Sequence, residues 1–357
     1  MAGNEAKIIG NMLESCFLYI DFWIAQCNGQ DETEQIVQDF FNEKKIPGFT
    51  YKTEWVNPGV NSDHLIQTCR EANHSCDWFL RVDADEKIVV ESDFNWKILD
   101  DLSIQSFDVV ARNGLTSWFR NRIWNAKLPW RFKHDKRHEC IILPGCGPTD
   151  EEFQRVTLDA GFYHFITSAG KSYENPTKFV VDALELELQQ VIKKSMTSDL
   201  YHLFYVAKSY YDAVMVGDFP FGQDHKKEFA RRSVFYFLQY EKLMASQMHH
   251  EMLYYARLCL GNMFNFLEQT TEAEESFLRC DLCCLPRNEH VYDLALLYLK
   301  NGRFEKMFEQ TIKLVDERRK NPFPELSFLI NNNLYIDTGR GGIELHNEAL
   351  KILGQIS

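Results

Sequence analysis

The chain has 357 residues, 45% of them hydrophobic and 25% charged, the balance of an ordinary soluble globular protein long enough for two domains. Its net charge of −13 excludes non-specific nucleic-acid binding, which needs a basic surface to displace counterions. An anionic ligand must therefore be held by local positive charge or by a metal.

The ten cysteines are scattered through apolar patterns and read as buried thiols, not as a disulfide framework. Cys280, Cys283 and Cys284 lack a second pair or a His pair and read as helix core, not as a zinc site. The opening "MAGNEAKIIGNMLES" has no basic stretch followed by an apolar run, and no segment is apolar enough to span a bilayer. The expected compartment is cytoplasmic.

In "NEAKIIGNMLESCF" the apolar residues follow the helical period, with Asn4 as N-cap. "FWIA", 22 to 25, reads as a short buried strand. "DETEQIVQDFF" opens a second helix, with Asp31 and Glu34 fitting a capping box. Phe49, Tyr51, Thr53 and Trp55 alternate as a strand does, and "DHLIQTCREA" is a third helix. "WFLRVDADE" follows. This rhythm implies a parallel sheet with helices on both faces. Ligands bind such sheets outside the carboxyl ends of the strands, which places Asp83, Asp85 and Glu86 at the sheet mouth.

"SFDVVAR", 106 to 112, and "RVTLDAGFYHFI", 155 to 166, read as further strands. Between them "SWFRNRIWNAKLPWRFKHDKRHE" shows no clear period. A helix begins near "ENPTKFVVDAL", with Pro176 in its first turn. From about residue 196 the pattern is of paired helices with a period near forty residues at best, within the range of helix-hairpin solenoids. "LKNGRFEKM" looks like the turn of a tetratricopeptide hairpin. The expected domains are 1–195 and 196–357.

Asp83 and Asp85 are two apart, so on an extended strand they face the same way. Converging carboxylates repel unless a cation lies between them, and Mg²⁺ or Mn²⁺ often bridges carboxylates to phosphates. A bare Asp-x-Asp in a solvated loop is common by chance; the apolar run before this one raises its weight.

The segment resembles the Asp-x-Asp region of glycosyltransferase family 2, in particular members with a C-terminal tetratricopeptide-like region. In order, "GNEAKIIGNMLES", "CNGQDET", "WVNPGVNSDHLIQTCREA", "RIWNAKLPWRFKHDKRHE" and "GFYHFITS" are similar to the family's segments, over about residues 3 to 180 and more loosely through the helical tail. The resemblance implies an α/β fold of GT-A (Rossmann-like) type with a mixed sheet, followed by an all-α helical-hairpin repeat domain. It implies inverting transfer of a sugar from a nucleotide-sugar donor to a protein or glycan acceptor, with Mn²⁺ or Mg²⁺ as cofactor. Asp83 and Asp85 would anchor the metal and His164 would be a further ligand; from the residues alone, His164 reads as a core histidine on an aromatic strand. Donor binding would fall to Gln26, Asp31, Asp83, Arg122 and Lys171, with Arg120 also in reach of phosphates. An inverting transfer needs a base; Glu139 is the candidate and His138 the alternative, against a plain surface run. Trp130 would stack on the acceptor, although tryptophans are more often core.

Two departures bear on the donor. Only Met1 to Gly3 precede Asn4 where the family has a full strand, and Gln26 stands where the family has an aspartate, offering an amide without the charge. A second reading follows: a weakened or inactive scaffold whose helical repeats bind a protein, with self-association through those repeats as a further expectation. A metal phosphohydrolase is a third, weakened by the lack of a second metal cluster. "AGKS", 169 to 172, fails the P-loop pattern, and "SAGK" lacks the partners of a penicillin-binding site.

Overall fold

The helix–strand alternation of the first half is present in the structure, a computed structural model. It describes residues 1–72, 75–113, 116–133, 141–147, 150, 152–167, 177–192, 200–215, 221–244, 251–283, 287–315 and 343–354. The chain divides into two units, Met1–Glu174 and Asn175–Ser357.

In the first unit, α1 (Ile9–Cys16) turns Ile9, Leu13 and Cys16 inward, as its period requires. Next come β1 (Trp23–Gln26), α2 (Thr33–Lys44), β2 (Gly48–Tyr51) and α3 (Pro58–Glu71). Asn57 caps α3 by accepting from the Val60 amide, and Pro58 fills the first helical turn, where no amide donor is needed. β3 (Trp78–Leu80), β4 (Glu86–Val90), β5 (Ser106–Asn113), β6 (Thr116–Asn125), β7 (Arg131–Phe132), β8 (Ile141–Ile142) and β9 (Arg155–Ile166) are the further strands among the described residues.

β1 and β2 form a parallel pair. A five-stranded sheet runs in the order β3-β6-β5-β9-β4. Within it β5 and β9 are parallel and the other neighbours antiparallel, so the sheet is mixed and not the parallel sheet that the rhythm of elements implies. Adjacent side chains of a strand point to opposite faces. Ile123 accordingly joins one apolar cluster, with Ile9, Leu13 and Trp23, while Trp124 joins another, with Ile66 and Trp130. α1 thus covers one face and α3 the other.

Two local expectations are corrected. Asn4 does not cap α1; at a positive φ of 61° it turns its Oδ1 to the amides of Gln30 and Asp31, at 2.8 and 3.2 Å. Asp31 and Glu34 form no capping box: Glu32 is the N-cap of α2, without a side-chain bond. Asp31 accepts from the Thr33 amide and hydroxyl at 3.1 and 2.5 Å and from the Ala6 amide at 3.1 Å. Gly29 lies so close to Asn4 that a Cβ would come 2.4 Å from its amide nitrogen.

Among its described residues the second unit is all-helical: α4 (Lys178–Ile192), α5 (Leu200–Met215), α6 (Gln223–Met244), α7 (Glu251–Phe266), α8 (Thr270–Cys280), α9 (Glu289–Lys300), α10 (Phe304–Val315) and α11 over residues 343–352. The expected boundary after residue 195 falls too late, because Val180, Ala183 and Leu186 of α4 lie in the same core as Phe204, Phe237 and Leu253. Cys280 and Cys283 are buried in that core; Cys284 lies outside the described residues.

α7 and α8, and α9 and α10, are joined by short turns of one design, which makes each pair an antiparallel hairpin. After α7, Glu268 takes a positive φ of 63°, its amide bonds Asn265 O, and the Gln269 amide bonds Phe264 O at 2.8 Å. After α9, Gly302 takes φ 68°, its amide bonds Leu299 O, and the Arg303 amide bonds Tyr298 O at 2.9 Å. Both are Schellman closures. The two positive-φ positions, 268 and 302, are 302 − 268 = 34 apart, the tetratricopeptide period and shorter than the forty read along the sequence. Gly261 permits the α7–α8 contact, since a Cβ there would come 2.3 Å from the Phe277 ring. Among the described residues no helix is long and apolar enough to cross a membrane.

Candidate functional site at the mouth of the sheet

The apolar residues of β3 are half-buried, and after Arg81, whose amide still bonds the Arg122 carbonyl at 3.0 Å, the chain leaves the sheet. The Glu86 amide then bonds the Asp83 carbonyl at 3.0 Å. Residues 83–86 are therefore a tight turn between β3 and β4, not an extended strand end. The premise that Asp83 and Asp85 face one way along a strand does not hold.

β3 and β4 lie at opposite edges of the five-stranded sheet. The turn nevertheless sits among side chains of β6 and β9, which the curl of the sheet brings together. Arg120 and Arg122, two apart on β6, share a face. Arg122 Nη2 donates to Asp83 Oδ2 at 2.5 Å and to Glu86 Oε1 at 2.9 Å. Arg120 reaches Asp83 Oδ2 at 3.5 Å and donates to Glu86 Oε1. Arg81 Nε donates to Asp83 Oδ1 at 3.2 Å. Glu86, fully buried, also accepts the Asp83 amide at 3.0 Å, and its Oε2 lies 3.0 Å from His164 Nδ1.

This network sets the proton affinities. Burial works to raise Asp83, but the guanidiniums of Arg122, Arg81 and Arg120 outweigh it and hold the carboxyl well below its usual range. Burial is likewise overcome at Glu86, by Arg122 and by the His164 bond, and its pKa falls to about 2. Asp85 behaves oppositely: burial, then the charges of Asp83 and Glu86, raise it. Burial lowers His164 although Glu86 opposes the shift. A neutral imidazole that donates from Nδ1 to Glu86 leaves the Nε2 lone pair open, and Nε2 is buried without a hydrogen-bond partner.

The expected ligand set fits a divalent ion only in part. Asp83 is committed to three guanidiniums, and among the described residues no three His, Cys, Asp or Glu side chains are gathered so as to hold a metal. His164 has the build of a ligand, a ring oriented by a carboxylate through its other nitrogen. Burial and the neighbouring carboxylates disfavour the ionised form of Asp85, which protonation or a nearby cation would each relieve.

The other expected site residues are dispersed. Gln26 is fully buried and donates from Nε2 to Thr53 Oγ1 at 2.6 Å, with its own Oε1 unpaired. Asp31 is engaged in the loop contacts above. Arg122 is drawn into the carboxylate network and so is no simple phosphate clamp. Trp130 is 0% exposed and its indole donates to the Asn125 carbonyl at 2.8 Å; it is core and cannot stack on an acceptor. His138, Glu139 and Lys171 lie outside the described residues, as does Pro176. Sequence reasoning missed Glu86 as the hub and Arg81 as a partner. The signal was there, an apolar strand run flanked by Arg81 and answered by Arg120 and Arg122.

No protein-family model matches the chain, and no curated protein does. Solved structures that match include two crystal structures of a Podosopora anserina putative kinesin light chain with nearly identical TPR-like repeats. Each is 15% identical, with 52% of this chain and 88% of that chain covered and a TM-score of 0.34. The class of this protein follows from its own geometry: a mixed-sheet α/β unit followed by a unit of helical hairpins.

Proposed function

We propose that the first unit is a GT-A-type glycosyltransferase domain that binds a nucleotide-sugar donor at the sheet mouth and transfers the sugar with inversion. The observation that carries this reading is His164: a buried, neutral imidazole, oriented by Glu86, with an unpartnered Nε2. Asp85 and His164 would hold a divalent cation. Bound there with the donor, the ion would supply charge neutralisation for the leaving diphosphate.

The remaining work falls to this chain's own groups. Glu86 fixes the tautomer of His164 and joins the turn to β9. Arg120, partly exposed and bonded to Glu86, would meet anionic oxygens if a ligand displaced its longer contact with Asp83. Glu139, or His138, takes the proton of the acceptor. The order of family-like segments from residue 3 to 180 supports the same reading.

A second reading keeps the domain as a scaffold, with the helical hairpins binding a protein. The pairing of Asp83 and Glu86 with three arginines favours it, because a self-neutralised cluster needs no cation.

Thermal unfolding with Mn²⁺, alone and with a panel of nucleoside diphosphates and nucleotide sugars, separates the two. A ligand specific to the native state raises the melting temperature. The glycosyltransferase reading expects a nucleotide shift that depends on Mn²⁺ and donor hydrolysis that is lost in Asp85→Ala. No shift with any nucleotide would leave the scaffold.

A further inference from the structure

The charge network at the 83–86 turn is unbalanced. Arg81, Arg120 and Arg122 pair with two carboxylates, Asp83 and Glu86, which leaves 3 − 2 = 1 positive charge among the bonded groups. Asp85 feels the charge of Arg120 but is not bonded to these guanidiniums, and burial opposes its ionised form. Within a chain of net charge −13, this is a local excess of positive charge that suits an anion and not a further cation.

The two carboxylates hold the arginines in different ways. The Glu86 side chain is 0% exposed and grips both Arg120 and Arg122, the latter at 2.9 Å. The Asp83 side chain is 25% exposed, beside Arg120 at 31%. Each guanidinium has an anchor other than Asp83. Arg120 and Arg122 have Glu86, while Arg81 donates from Nη1 to Ser62 Oγ at 3.2 Å and lies over the Phe132 ring. The main chain of the turn is also held without the Asp83 side chain, by the Glu86 amide on the Asp83 carbonyl. The Asp83 carboxylate is therefore the replaceable member of the cluster.

The place it fills has the form of a phosphate seat. Asp83 Oδ1 accepts from Arg81 Nε at 3.2 Å, and Oδ2 accepts from Arg122 Nη2 at 2.5 Å and Arg120 Nη2 at 3.5 Å. Three guanidiniums that converge on two oxygens of one anion suit a phosphate group as well as a carboxylate.

We infer that Arg81, Arg120 and Arg122 form a metal-independent seat for the diphosphate of a nucleotide, and that Asp83 is its built-in competitor. The inference rests on the reading of this site as one that takes a nucleotide donor. It adds a sign: Asp83 opposes the anion, whereas a metal-anchoring Asp83 would support it. On binding, the Asp83 carboxylate turns out to water and the arginines keep their hold on Glu86 and Ser62. One anion replaces another, and no covalent bond changes.

The test is calorimetric binding of inorganic pyrophosphate and of a nucleoside diphosphate, with a chelator present, to the full chain and to Asp83→Asn. The substitution keeps the shape of the side chain and removes its charge. Asp83→Asn is expected to bind pyrophosphate about tenfold more tightly than the parent chain or better, and Arg120→Gln added to it is expected to reverse the gain. Equal or weaker binding by Asp83→Asn overturns the inference. So does an Asp83→Asn chain that no longer unfolds cooperatively, because the other anchors would then not suffice. Pyrophosphate bound as tightly as the nucleoside diphosphate overturns the assignment to a nucleotide. In the parent chain, saturating pyrophosphate should move the ¹³C signal of the Asp83 carboxyl and leave that of Glu86 in place; the reverse pattern overturns the order of release. Lost donor hydrolysis with this Asp83 dependence intact would sink the glycosyltransferase reading alone, and intact hydrolysis with pyrophosphate binding indifferent to Asp83 would sink this inference alone.

Discussion

Glu86 and His164 meet at 3.0 Å although 78 residues separate them. They stand on adjacent antiparallel strands, two rungs apart, with Ile88 opposite His164 and Ile166 opposite Glu86. That diagonal joins the tight turn to the last strand and makes Glu86 the centre of a buried charge network.

Removing one member of such a network leaves the others uncompensated. Glu86→Gln keeps the shape but strands Arg120 and Arg122, and is expected to destabilise the first unit by about 3 kcal/mol. Denaturant unfolding checks this. A loss below about 1 kcal/mol would mean that water already neutralises the pair.

The same carboxyl predicts an acid limb. Its folded pKa, about 2, lies below the ordinary 4.5, so the unfolded chain takes up the proton first as pH falls. The stabilisation is whole above about pH 4.5 and is lost progressively toward pH 2. A pH series of unfolding should show this slope in the parent chain and a shallower one in Glu86→Gln.

Asp85 separates resting stability from ligand binding. Its raised proton affinity marks an ionised form that its surroundings disfavour. Asp85→Asn should raise the melting temperature without metal and abolish the increment that Mn²⁺ gives with nucleotide. A retained Mn²⁺ increment would remove Asp85 from the proposed ligands.

In the second unit, Asp293 of α9 lies beside Asn262, and burial raises its pKa to about 7. Here the folded form holds its proton longer than the unfolded one. Stability should therefore fall as pH rises from about 4 to about 7, by at most about 4 kcal/mol and by less for the share that solvent screens. Asp293→Asn should flatten that slope, read by calorimetry across the range.

The hairpin turns offer a paired exchange. Glu268 carries a side chain at a left-handed position where Gly302 has none. Glu268→Gly should stabilise the second unit by about 1 kcal/mol and Gly302→Ala should destabilise it by about the same. Thermal melts of both variants check the sign of each.

Much of the architecture was legible because burial and period agree there. Ile9, Leu13 and Cys16 form the inward stripe of α1, and 155–166 is a strand from end to end. β6 was hidden for a physical reason: its interior face carries Arg120 and Arg122, so a buried strand lacks the apolar alternation that marks one. Asp83 and Asp85 follow β3 as a turn and not as an aligned strand end, because the turn at 83–86 is fixed by a main-chain bond that side-chain spacing does not reveal. Trp130 resembled a ligand platform beside basic residues; its indole bond to Asn125 is a tertiary contact that spacing alone cannot give. The end of the first unit was set too late because α4 follows the strands without a break in composition, and only its packing with α5 assigns it.

The matched closures after α7 and α9 have a consequence for how the second unit comes apart. Elements stacked at a constant step lean mostly on their immediate neighbours, so opening can start at one end and travel like a zip. Lengthening such a stack by one step would repeat an existing junction instead of inventing a new one, which gives evolution an inexpensive way to resize this half of the molecule.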